Sequence, residues 1–147
     1  MLIVQELLAK VVIQTKIYNM SDFVNFKLAQ KLKEKGYPQH WSDNDYIVEN
    51  EYKDNFEIGV YYDRCLIPEH IVTIAAPTIS QVLKWLRDKF SLHISQKPYP
   101  CEDGLMWMYE IRKFSKYIVF VVANKTGFVK EEEASLAGIE YVLDILI

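Results

Sequence analysis

Residues 75–90 read Ala-Ala-Pro-Thr-Ile-Ser-Gln-Val-Leu-Lys-Trp-Leu-Arg-Asp-Lys-Phe, and no other stretch of the chain constrains the fold as tightly. A complete helix start stands directly ahead of an apolar stripe. Pro77 disfavours helix in the residue before it, Thr78 can cap with its hydroxyl, and Gln81 lies three positions on, where its amide can reach back to the cap. Ile79, Val82, Leu83, Leu86 and Phe90 then recur at helical spacing on one face. Trp85 and Arg87 fall on opposite flanks of that stripe, and Trp85 is expected at the edge of the core with the Lys89 stem beside it. A helix so written must bury one side against something else.

The chain has 147 residues, enough for one domain with its own core, and half of them are hydrophobic. Its net charge of −3 supplies no global positive field toward nucleic acid or anionic lipid. Cys65 and Cys101 are too few for a disulfide scaffold and are read as reduced. Residues 1–14 are apolar, but Gln5, Glu6, Lys10 and Gln14 interrupt them, so neither a signal peptide nor a membrane span is expected. A cytoplasmic protein without membrane attachment is the default expectation.

A helix carrying Leu28, Ala29 and Leu32 inward is expected after an Asn25 cap, or from Ser21 one turn earlier. Gly36 should close it in a left-handed conformation, with Tyr37 folded back on the last turn. Residues 38–55 read as a long polar and aromatic loop with at most a short strand at 46–48. Phe56, Ile58, Val60 and Tyr62 alternate as a half-buried strand does, and 71–74 is a further extended run. Three extended segments are expected behind the Pro77 helix, at 92–96, 105–112 and 117–123, joined as an antiparallel meander. In the second, Glu110 should lie with Met106 and Met108, opposite Trp107, Tyr109 and Ile111. The third has no polar alternation, which predicts a central strand covered on both faces. Residues 124–127, Asn-Lys-Thr-Gly, signal a turn. A last helix follows, with Glu131, Glu132 and Glu133 in its first turn and an end that is apolar almost all round, which predicts burial or contact with another subunit. The fold class is therefore α+β: one domain over 20–147 with a three-stranded meander packed by two or three helices.

The string at 24–37, the segment at 75–87, and Glu132-Glu133-Ala134 through Gly138-Ile139 together resemble a family of small uncharacterised proteins from bacterial and bacteriophage genomes. There a helix ending Lys-Glu-x-Gly-aromatic precedes an Ala-Pro-Thr helix with a Trp-Leu-Arg core, and strands lead to a Glu-Glu-Ala helix. The resemblance runs from about residue 22 to the C-terminus and implies a shared fold, with no activity and no catalytic residue to carry over. Lys130 departs from it where a capping Thr is usual, so the last helix should begin less sharply. Residues 1–19 lie outside it and are read as an N-terminal extension, a candidate for pairing subunits, as is the C-terminal helix.

His40, His70 and His93 are scattered. A zinc site would need Cys65 with His70 joined to Cys101, Glu102 and Asp103 by the fold, and structural or surface roles are preferred. No nucleophile elbow or phosphate-binding glycine loop is present, so no catalytic, cofactor-binding or metal-binding residue is assigned. Asp43 and Asp45 read as solvated loop charges. Two features remain as contact candidates. Trp41 sits in the polar loop as a recognition residue, and Arg112, Lys113 and Lys116 are interleaved with Trp107, Tyr109 and Phe114 as in sheets that track a nucleic-acid backbone. A three-stranded sheet before a Glu-Glu-Ala helix also looks like the sheet-reading DNA-binding domains of integrase type, a fold-level analogy. Residues 97–147 nevertheless carry six basic against eight acidic side chains. A small non-enzymatic binding or accessory protein is thus the leading expectation, followed by a nucleic-acid binder and then by an enzyme with a loop-assembled site.

Overall fold

A computed structural model describes residues 22–40, 44–47, 61–63 and 73–147. The expectations for residues 1–19, Trp41, Cys65, His70 and the strand at 56–60 lie outside the described residues. The elements in chain order are α1 (Phe26–Glu34), β1 (Asn44–Ile47), β2 (Tyr61–Asp63), β3 (Thr73–Ala75), α2 (Ile79–Phe90), β4 (Leu92–Cys101), β5 (Gly104–Phe114), β6 (Val119–Phe128) and α3 (Glu131–Tyr141). A π-helical turn, Val142–Leu146, ends the chain. The strands form two antiparallel sheets, ordered β2-β1-β3 and β4-β5-β6, and the second is the expected meander. The fold is mixed α+β.

Both capped helices form for the reasons their sequences give. Asn25 Oδ1 accepts from the Leu28 N–H at 2.9 Å, and α1 buries Leu28, Ala29 and Leu32. At its end Gly36 takes φ 86°, which lets the Tyr37 N–H return to the Leu32 carbonyl at 2.9 Å. Tyr37 is thereby delivered into the core, edge-on to Trp85 with ring centroids 5.2 Å apart. In α2 the reciprocal capping box is complete: the Gln81 N–H donates to Thr78 Oγ1, and the Thr78 N–H donates to Gln81 Oε1. Trp85 is buried more deeply than an edge position, and the Lys89 ammonium lies 5.5 Å from its ring centroid.

Both helix packing and sheet pairing meet at the long sheet. Its strands are longer than the sequence suggests. Pro98 and Pro100 lie within β4, an outer strand, where a missing N–H costs no ladder hydrogen bond, so the loop expected at 98–104 shrinks to a tight turn between Cys101 and Gly104. The turn expected at 124–127 is likewise strand: Gly127, at φ 97°, absorbs a register shift opposite the Trp107/Tyr109 step, and β6 runs on to Phe128.

The α3 helix crosses one face of this sheet. A Cβ on Gly138 would stand 2.9 Å from the Ile94 methyl and 3.3 Å from the Tyr109 ring, so glycine is what allows so close an approach. Leu92, Ile94, Tyr109 and Ile111 are buried beneath, with Ala134, Ile139, Val142 and Leu143 from above. The apolar end of the chain is thus largely covered by its own fold, leaving Ile145 exposed. Lys31 on α1 secures it by ion pairs with Glu140 at 3.0 Å and Asp144 at 2.9 Å. Lys130 makes no side-chain cap.

The smaller sheet corrects one expectation. Asp45 is buried, and it accepts a hydrogen bond from Thr73 Oγ1 at 3.1 Å. Its β1 position between β2 and β3 takes it out of solvent, where a loop reading would leave it.

Candidate binding surface

Strand parity decides which side chains of the long sheet share a face. On β5, Tyr109 and Ile111 point under α3, so Met106, Met108, Glu110, Arg112 and Phe114 belong to the opposite, helix-free face. Register brings His93, Ser95, Lys97 and Tyr99 of β4 alongside them. Glu110 sits with the two methionines, as expected, and its side chain is only 12% exposed. Lys97 Nζ donates to Glu110 Oε1 at 3.1 Å and Arg112 Nε donates to the same oxygen at 2.5 Å. The Lys97 hydrogen bond first, and the Arg112 hydrogen bond second, hold the Glu110 carboxyl below the ordinary glutamate range.

The basic and aromatic residues singled out in the sequence are therefore not one surface. Tyr109 is 4% exposed and packs against Phe128 and Tyr141 in the core, where no base can stack on it. Trp107 is partly buried on the same side. Arg112 lies on the open face, engaged by Glu110, while Lys113 is exposed on the helix side. Lys116 stands in the turn after β5, its ammonium 5.3 Å from the Tyr117 ring centroid. Arg112 and Tyr109 are three residues apart, and an odd separation in a strand places two side chains on opposite faces. That signal was present in the sequence. Lys97 could not be found that way, because its pairing with Glu110 depends on the β4–β5 register.

The larger correction concerns β6. The unalternating run 117–123 predicts a central strand, yet among the described strands the order β4-β5-β6 makes β5 central and leaves β6 at the edge. Tyr117, Ile118, Val119, Phe120 and Val121 are 84%, 62%, 51%, 46% and 48% exposed. Phe114 continues the patch on the open face, 6.0 Å from the His93 ring. The Ser115 N–H donates to the Ile118 carbonyl at 2.8 Å and forms the turn that presents this tip. Val122 then opposes no residue of β5, because Arg112 pairs with Val121 and Ile111 with Ala123; this bulge ends the regular edge. Chemically the surface offers apolar contact, one tyrosine hydroxyl and unpaired strand-edge backbone groups.

Elsewhere, a groove of about 390 Å³ between α1 and α3 has Leu28 and Phe128 at its base and Lys27 and Glu133 at its rim. Among the described residues no group of three or more His, Cys, Asp and Glu side chains is placed to hold a metal ion, and Cys101 is exposed with its thiol on the Gly104 carbonyl. Among the described residues no helix is long and apolar enough to cross a membrane. No family model, no curated protein and no solved structure matches this chain.

Proposed function

We propose that this chain is a small non-enzymatic binding or accessory protein whose contact surface is the apolar hairpin tip and adjoining sheet edge at residues 117–121. One observation carries the reading: five consecutive apolar side chains are about half or more exposed while the core closes without them. Contiguous apolar patches of this kind mark interaction sites, and proteins otherwise blunt an outer strand with charge or proline. The order of its sequence motifs supports an origin among small proteins of bacterial or bacteriophage genomes. The test is affinity capture with tagged chain, from a bacterial lysate doped with untagged chain. Wild type should retain at least one protein that an Ile118→Lys variant of unchanged circular dichroism does not; identical captured sets would move the contact surface elsewhere.

A second reading, nucleic-acid binding, draws on His93, Lys97 and Arg112 on one open sheet face with Lys113 and Lys116 nearby. It ranks below the first because Glu110 already engages both Lys97 and Arg112. Salt-sensitive binding to DNA or RNA that is lost in Arg112→Glu/Lys113→Glu/Lys116→Glu would reverse the order.

A further inference from the structure

We draw no further inference here: the strongest candidate, the groove of about 390 Å³ between α1 and α3 with Leu28 and Phe128 at its base, carries nothing because nothing in the structure shows what covers it.

Discussion

Two apolar segments of similar strength meet opposite fates in this molecule. In α2, Ile79, Val82, Trp85 and Leu86 are all buried; across the turn before β6 and its first three residues, residues 117–121 are all exposed. The difference is not one of hydrophobicity. The helix carries its apolar residues at a period that makes one face, and β4, α3 and Tyr37 are there to cover it. The strand carries apolar residues on both faces, and only topology could supply two covers for it. That topology puts β5 in the centre and β6 outside. Apolar content states a demand for burial, and the fold of one chain need not meet it.

The comparison can be broken most sharply on its buried side. Leu86→Ala should destabilise the chain by about 3 kcal/mol, measured by urea denaturation, because a fully buried leucine leaves a cavity. Gly138→Val should cost about 2 kcal/mol by overpacking, since its side chain must displace Ile94 and the Tyr109 ring. Thr78→Ala removes half of the capping box and should cost about 1 kcal/mol. Against these, Ile118→Lys should change stability by less than about 0.5 kcal/mol, as an exposed substitution does. A loss near that of Leu86→Ala would erase the distinction between the segments.

Titration sharpens the same contrast. Burial of Tyr37 against Trp85 pushes its hydroxyl up to about 12 from an ordinary 10.0. The unfolded chain releases that proton first, so the Tyr37 contribution is intact below pH 10 and is lost as pH rises from about 10 to about 12. Tyr37→Phe should flatten the decline in denaturation midpoint over that window.

The sequence was most informative where structure is local. The Thr78 and Asn25 caps and the Gly36 stop could all be read from a few neighbouring residues, because the groups that satisfy a helix end lie within four positions of it. It misled where a local signal competes with pairing. Pro98, Pro100 and Gly127 read as breakers, yet an outer strand tolerates the prolines and a bulge absorbs the glycine. Asp45 read as a loop charge because its burial depends on strands 16 and more residues away. The candidate surface was half legible. Parity could have separated Tyr109 from Arg112, but nothing within residues 117–123 tells an edge strand from a central one.

Hydrogen exchange at the backbone amides of residues 117–121 tests directly whether this run is left uncovered by the fold of its own chain. Its outward amides should exchange rapidly, while those of α2 stay protected. Full protection of residues 117–121 would contradict the account, because the run would then be covered within its own chain.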